Sequence, residues 1–175
     1  QVDLIFTDPP YNVAIGRNVS GRGKVRHGEF AMASGEMTRE EFTQFLELGL
    51  GAAAARCKDG AIAYVCMDWR HMLEVQMAGE RVFSELKNLC VWNKRVGGQG
   101  SFYRSQHELV FVFKKGTAAH TNNFGLGGSG RYRTNVWDYA GANAFSEGRS
   151  EALAAHPTVK PVAMIKDALL DCSKR

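Results

Sequence analysis

The most constraining feature of the sequence is a short apolar run that ends abruptly in two prolines. Residues 2–7 read VDLIFT, which is rich in β-forming side chains, and Asp8, Pro9 and Pro10 follow directly. Proline cannot donate a hydrogen bond to a sheet ladder, so the pattern predicts a buried strand that stops at Asp8. Open α/β sheets bind ligands where parallel strands end, which makes the segment after this strand the first candidate site.

Strand and helix patterns alternate along the rest of the chain. Thr38 and Glu41 form a capping box before a helix whose apolar face would be Phe42, Phe45, Leu46 and Leu50. A strand is predicted at 61–67, and Asp68 then caps a second helix with an inner face of Met72, Leu73, Gln76 and Met77. Strands at 85–93 and 107–113 follow. A last helix has Pro161 in its first turn and, facing inward, Met164, Ile165, Ala168 and Leu169. This order predicts one domain, residues 1–175, with an open α/β sheet.

Composition excludes several classes of protein. No apolar run reaches the length that a membrane span requires, and no signal peptide is visible. The four cysteines are widely spaced and form no CxxC pair, which argues against a metal site and against a disulfide framework. We therefore expect a cytoplasmic protein in which Cys57, Cys66, Cys90 and Cys172 are buried as small hydrophobic residues.

Charge is concentrated in one part of the chain. Between Lys94 and Arg133 there are seven basic residues and a single acid, Glu108, although the whole chain carries a net charge of only +4. A basic segment within otherwise balanced sequence favours a polyanionic partner such as nucleic acid.

Asp8, Pro9, Pro10 and Tyr11 together suit a planar group that carries an exocyclic amine. The prolines stiffen the turn and contribute no N–H, which leaves carbonyl oxygens free to accept from a ligand. Asp8 adds a carboxylate acceptor, and Tyr11 adds a flat ring. Adenine N6 and cytosine N4 are amines of this kind. Hydrogen bonds accepted by Asp8 and by the Pro9 carbonyl would expose the nitrogen lone pair to a methyl donor.

Further motifs connect this turn to a known family. Residues 7–12 (TDPPYN) resemble motif IV of the DNA adenine-N6 and cytosine-N4 methyltransferases, and residues 156–161 (HPTVKP) resemble their motif X. Residues 104–114 resemble the motif VIII strand, and residues 92–94 and 135–139 also match segments of these enzymes. Motif IV before motif X, with an insertion just before X, resembles the β-class order. The resemblance covers nearly the whole chain.

The resemblance implies the Rossmann-like fold of S-adenosylmethionine-dependent methyltransferases, here as the catalytic half of the open sheet. It implies methyl transfer from S-adenosylmethionine to a base flipped out of double-stranded DNA. Adenine N6 is favoured over cytosine N4 because Asp stands first in the motif. The catalytic, base-holding residues would be Asp8, Pro9, Pro10 and Tyr11. The residues that bind the donor would be Asp8, His156, Thr158 and Lys160.

The same resemblance predicts two segments that contact DNA. Residues 12–37 correspond to a mobile loop that closes over DNA in relatives, and residues 116–155 correspond to an irregular, exposed target-recognition insertion. The side chains expected at the DNA are Arg17, Arg22, Lys24, Arg26, Arg95, Arg104, Arg131, Tyr132 and Arg133. A homodimer and a cognate restriction endonuclease are further partners that the resemblance allows, in a bacterial or phage-encoded protein.

One departure from the family pattern bears on activity. The family's glycine-rich donor motif is absent, and in the β-class order it would begin shortly after Arg175. We therefore expect a fragment that is inactive by itself. Two other interpretations stay open at this point, a DNA-binding module without catalysis and a methyltransferase of protein glutamine amides. Relatives of the second kind carry Asn at the position of Asp8.

Overall fold

The computed structural model describes residues 1–14, 31–98, 102–141 and 159–174. Its strands are β1 (Val2–Thr7), β2 (Cys57–Met67), β3 (Glu85–Asn93), β4 (His107–Lys114) and β5 (Val136–Asp138). Its helices are α1 (Arg39–Ala54), α2 (Met72–Val82) and α3 (Val162–Cys172), and short 3₁₀ turns lie at Trp69–His71 and Gly125–Gly127. The predicted alternation of strands and helices is confirmed. In the described part of the chain, no helix has the length and apolar character needed to cross a membrane.

The five strands form one mixed sheet in the order β1-β2-β4-β3-β5. β1 is parallel to β2, and β3 is parallel to β5, whereas β4 runs antiparallel to both of its neighbours. Strands β1, β2, β3 and β5 therefore end at the side of the sheet where β4 begins. We call this side the upper edge.

Helices cover both faces of the sheet because side chains alternate along the central strands. On one face, α1 and α2 pack against β2 and β4 through buried residues that include Phe42, Leu46, Val65, Val75 and Phe113. On the other face, α3 packs against the sheet, and the buried residues there include Tyr64, Cys66 and Trp137 on the strands and Met164 and Ala168 on α3. The result is a three-layer α/β/α arrangement, which agrees with the predicted fold class. All four cysteines are buried and unpaired, as predicted.

Local sequence explains where α1 begins and how closely α2 packs. At the capping box, the Thr38 hydroxyl accepts from the Glu41 amide at 3.3 Å, and the Glu41 carboxylate accepts from the Thr38 amide at 2.8 Å. In α2, a Cβ at Gly79 would lie 2.1 Å from the ring of Phe113. Glycine is therefore required for the close approach of α2 to β4.

The predicted inner face of the second helix is partly wrong. α2 buries Glu74, Val75, Ala78 and Gly79. Met72 and Leu73, which were predicted to face inward, are 43% and 45% exposed. Asp68 does act as a cap, but its side chain accepts from the amides of a separate 3₁₀ turn, so α2 begins later and in a different phase.

The last helix and the insertion also differ from the prediction. Pro161 is the residue before α3 rather than part of its first turn, and Leu169 is 43% exposed while Asp171 is buried in its place. Residues 116–141 are irregular over most of their length, as predicted. They nevertheless supply β5, and its Trp137 is only 4% exposed. This part of the insertion therefore belongs to the sheet.

Candidate active site

Separate parts of the chain meet at the upper edge of the sheet. Asp8 follows β1 directly, beside the end of β2. The pairing of β3 with β4 sets Trp92 opposite Glu108 at the same edge. Lys160, from the segment before α3, lies against both Asp8 and Glu108. The sheet register and the start of α3 therefore position these charged groups together.

Asp8 uses one carboxylate oxygen in contacts with described residues, and no described residue donates to the other. Its Oδ1 accepts from the Tyr11 hydroxyl at 2.6 Å and lies 2.8 Å from the Lys160 ammonium. Among the residues that the structure describes, none donates to Asp8 Oδ2 or to the carbonyl oxygen of Pro9. The Asp8 side chain is 25% exposed. Within the described part of the chain, the turn therefore has two oxygen acceptors without a donor at the upper edge.

Glu108 is a buried carboxylate in which both oxygens have partners. Its Oε1 accepts from Lys160 at 2.8 Å and is also in contact with the Tyr11 hydroxyl, while its Oε2 lies 2.7 Å from Lys94. The Glu108 side chain is only 6% exposed. The single hydroxyl hydrogen of Tyr11 cannot serve both Asp8 and Glu108 at once, and Lys160 supplies the further hydrogens that these oxygens need.

The ammonium of Lys160 has a full set of partners. Its three N–H groups face Asp8 Oδ1 at 2.8 Å, Glu108 Oε1 at 2.8 Å and the Tyr11 hydroxyl at 3.2 Å. The same ammonium lies 5.3 Å from the centroid of the Tyr11 ring and 5.8 Å from that of Trp92. Cation–π attraction to both rings adds to the ion pairs and fixes the position of Lys160.

These contacts shift the pKa values of three groups. Burial by itself would raise the pKa of Glu108, but Lys160 and Lys94 outweigh burial and lower this pKa to about 2. Burial opposes the charged form of Lys160, yet Glu108 and Asp8 raise its pKa above the ordinary value. Burial, and then the charges of Glu108 and Asp8, raise the pKa of Tyr11 well above its ordinary value. Tyr11 is therefore a neutral donor at physiological pH.

We expect Glu108 to make the fold acid-sensitive. Its pKa falls from 4.5 to about 2 on folding, so its contribution is complete above pH 4.5 and is lost as the pH falls towards 2. The shift corresponds to at most about 3 kcal/mol. Urea unfolding between these pH values should show a steeper loss of unfolding free energy for the wild type than for Glu108→Gln. Equal slopes would contradict the ionised state of Glu108.

The structure brings together Asp8, Tyr11 and Lys160, which the sequence had singled out separately. The ammonium of Lys160 is directed at Asp8, Tyr11 and Glu108, so its contact with the methyl donor stays a prediction. The predicted donor contacts His156 and Thr158 lie outside the described residues. The same holds for four predicted DNA contacts, Arg17, Arg22, Lys24 and Arg26.

The predicted DNA contacts near β3 and in the insertion have different surroundings. Arg95 pairs with Asp138 at 3.2 Å, and both side chains are more than half exposed. Arg104 donates to the carbonyl oxygens of Gly97 and Gly98 at the start of the β3–β4 connection. Tyr132 is 86% exposed. Their contact with DNA stays a prediction.

Arg131 and Arg133 make internal ion pairs with α3. Arg131 Nη2 lies 2.7 Å and Arg133 Nε 2.9 Å from the two carboxylate oxygens of Asp171, whose side chain is 3% exposed. The Tyr139 hydroxyl donates to Asp167 at 2.6 Å and accepts from Arg133 at 3.0 Å. These arginines therefore fasten the insertion to α3. Any contact that they make with DNA is in addition to this role and stays a prediction.

Sequence reasoning missed Glu108, together with its partners Lys94 and Trp92, as parts of the site. Glu108 counted only as the single acid in a basic segment. Strand periodicity could have identified Glu108. Side chains alternate between the two faces of a strand, and Val110 and Val112 on β4 point to the face that α3 covers, so residue 108 points to the same face. A carboxylate at such an inward position needs a cationic partner.

Asn12 joins the turn to the segment before α1. Its backbone is left-handed, with φ of 51°, a conformation that asparagine tolerates better than most residues. Its side-chain amide donates to the Met37 carbonyl at 2.8 Å, and its side-chain oxygen accepts from the amides of Gly35 at 3.0 Å and Met37 at 3.2 Å. We call these contacts the Asn12 clasp. They connect the two ends of the predicted loop 12–37.

Comparison with known proteins identifies the family. A family model for DNA methylases of the N6/N4 type matches residues 2–175. The chain belongs to the DNA methylase family. No curated protein sequence matches this chain significantly.

Solved structures show the same fold at low sequence identity. The PvuII DNA methyltransferase (cytosine-N4-specific) has a TM-score of 0.65 and 12% identity over 99% of this chain and 64% of the solved chain. The complex of M1.HpyAVI with SAM has a TM-score of 0.59 and 14% identity over 99% and 66% of the two chains. A second structure of M1.HpyAVI has a TM-score of 0.55 at 13% identity. This chain therefore spans a little under two thirds of the length of these solved chains.

Proposed function

We propose that this chain forms the base-holding site of an S-adenosylmethionine-dependent DNA methyltransferase. The proposed target is the exocyclic amine of adenine, N6, in preference to N4 of cytosine. Asp8 Oδ2 and the Pro9 carbonyl oxygen, to which no described residue donates, support this proposal most directly, together with the Tyr11 ring. A base amine carries two N–H donors on a planar ring, and the two acceptors and the aromatic side chain match this pattern.

The acceptors activate the amine by holding its protons. Its nitrogen is a poor nucleophile because its lone pair is delocalised into the ring. Hydrogen bonds to Asp8 Oδ2 and the Pro9 carbonyl favour a pyramidal nitrogen with an exposed lone pair. As the new N–C bond forms, the electrons of the methyl–sulfur bond remain on sulfur and the positive charge passes to nitrogen. Asp8 stabilises this charge, and one N–H proton then leaves to Asp8 or water.

The described residues are compatible with a cationic methyl donor. A sulfonium donor supplies an electrophilic methyl group, and the unpaired oxygen of Asp8 offers a negative group at the upper edge. We assign further donor contacts to His156, Thr158 and Lys160 on the basis of the motif X resemblance. Because the glycine-rich motif is absent from residues 1–175, we expect weak donor binding by this chain alone.

The target base has to leave the DNA duplex to reach these acceptors. The Lys160 ammonium lies at the hydroxyl end of the Tyr11 ring, 3.2 Å from the oxygen and 5.3 Å from the ring centroid. We therefore expect a flipped base to stack on the ring itself. The basic side chains that we assign to the DNA backbone are those predicted from the sequence, with Arg131 and Arg133 also paired to α3.

Methyl transfer from a labelled donor tests this proposal. The protein expressed from its complete open reading frame is incubated with radiolabelled S-adenosylmethionine and double-stranded DNA, and the DNA is digested to nucleosides. We expect label in N6-methyldeoxyadenosine. Label in N4-methyldeoxycytidine would move the target to cytosine. DNA binding without transfer would favour a binding module, and label in protein glutamine would favour the amide methyltransferase. Residues 1–175 alone should transfer no label.

A further inference from the structure

Glu108 has more partners at the upper edge than its place in the sequence suggests. It contacts Tyr11, Lys160 and Lys94, and none of its carboxylate oxygens is unpaired. We propose that Glu108 is a positioning residue that balances the charge of the site and holds Lys160 away from the unpaired oxygen of Asp8. This inference rests on the proposed methyl transfer.

Geometry supports the positioning role. Glu108 lies on β4 between two paired strands, so its backbone is held by the sheet. Its Oε1 is 2.8 Å from Lys160, the same distance that separates Lys160 from Asp8 Oδ1. Lys160 is thus shared between two carboxylates. Without Glu108, an N–H of Lys160 would lose its partner and would compete with the base amine for Asp8 Oδ2.

Charge supports the same role. Lys94 and Lys160 face Glu108 and Asp8, so these four side chains sum to zero. Methyl transfer brings a positive charge to the base nitrogen beside Asp8. Removal of the Glu108 charge would leave a net charge of +1 in a poorly solvated site and would oppose this step. The donor is also a cation, so the same excess charge weakens its binding, and the effect on the chemical step is read from kcat at saturating donor.

A single variant and a charge-compensated double variant test the inference. Both are made in the protein expressed from the complete open reading frame. We expect Glu108→Gln to lower kcat by about 10²-fold and to change KM for DNA much less. The double variant Glu108→Gln with Lys94→Met restores a net charge of zero. Its kcat should therefore be at least about tenfold higher than that of Glu108→Gln. Glu80→Gln is the matched control, because Glu80 is exposed on α2 and its only side-chain hydrogen bond among the described residues is with Gln76.

The outcomes separate this inference from the proposed function. If the double variant were no more active than Glu108→Gln, the charge-balancing role would be wrong, since a purely structural loss would deepen with the second change. Activity of Glu108→Gln at the level of Glu80→Gln would also overturn the inference, while leaving methyl transfer intact. Absence of transfer by the wild type would overturn the proposed function and this inference together. Circular dichroism and DNA binding confirm that each variant is folded.

Discussion

Asp8→Ala should abolish methyl transfer by the complete protein, with a loss of kcat of about 10³-fold or more. The substitution removes an acceptor for the base amine and the negative charge that stabilises the methylated nitrogen. It also removes the partner that Tyr11 and Lys160 share at Oδ1. DNA binding should be retained, because Asp8 repels rather than attracts phosphate. Single-turnover transfer and gel-shift binding measure the two quantities separately.

Asp68→Ala is a matched control for this substitution. Asp68 follows β2 at the same upper edge, and its side chain accepts from the amides of Arg70 and His71. Loss of this cap should lower the free energy of unfolding by about 1 kcal/mol and leave transfer close to the wild-type rate. Substantial activity in Asp8→Ala, or an equal loss in Asp68→Ala, would show that the assignment of Asp8 is wrong.

Asp171→Ala should destabilise the fold more than any surface substitution, by about 3 kcal/mol. The change leaves the guanidinium groups of Arg131 and Arg133 without their shortest ion pairs, at 2.7 and 2.9 Å. The expected loss is at the low end of the range for buried pairs because the Arg131 side chain is 30% exposed and stays partly hydrated. Urea unfolding monitored by circular dichroism measures it.

Two further variants test whether the loss of stability in Asp171→Ala comes from its ion pairs or from a change in α3 itself. Asp167→Ala, one turn earlier on α3, removes a side chain that is 34% exposed and should cost about 1 kcal/mol. Combining Asp171→Ala with Arg131→Met and Arg133→Met should restore much of the lost stability, because no buried charge is then left unpaired. Similar unfolding midpoints for Asp171→Ala and Asp167→Ala would argue against a central role of Asp171.

The secondary structure could be predicted largely from local signals, and the sheet order could not. The capping box of Thr38 and Glu41 and the periodicity of the strands depend on neighbouring residues alone. The position of β4 between β2 and β3 depends on contacts between distant segments. β5 has only three residues, which is too short for a periodic pattern. The predicted inner face of α2 was partly wrong because the 3₁₀ turn after Asp68 delays the start of the helix.

Residues of the candidate site could be predicted only where they lie in a recognisable sequence motif. Asp8, Tyr11 and Lys160 lie in motifs whose chemistry is readable from the side chains. The structural role of Glu108 depends on its partners Lys94, just after β3, and Lys160, just before α3, which are distant from it in sequence. Arg131 was assigned to DNA because the sequence shows its charge but not its partner Asp171, which lies on α3.

The Asn12 clasp bears on how much the chain between residues 12 and 35 can change without disturbing the base-holding turn. Because one side chain joins residue 12 to residues 35 and 37, the ends of the intervening chain are fixed next to the base-holding turn. The entropy cost of closing a flexible loop grows by only about 0.6 kcal/mol for each doubling of its length. Changes in the length of this segment should therefore cost little and leave Asp8 in place.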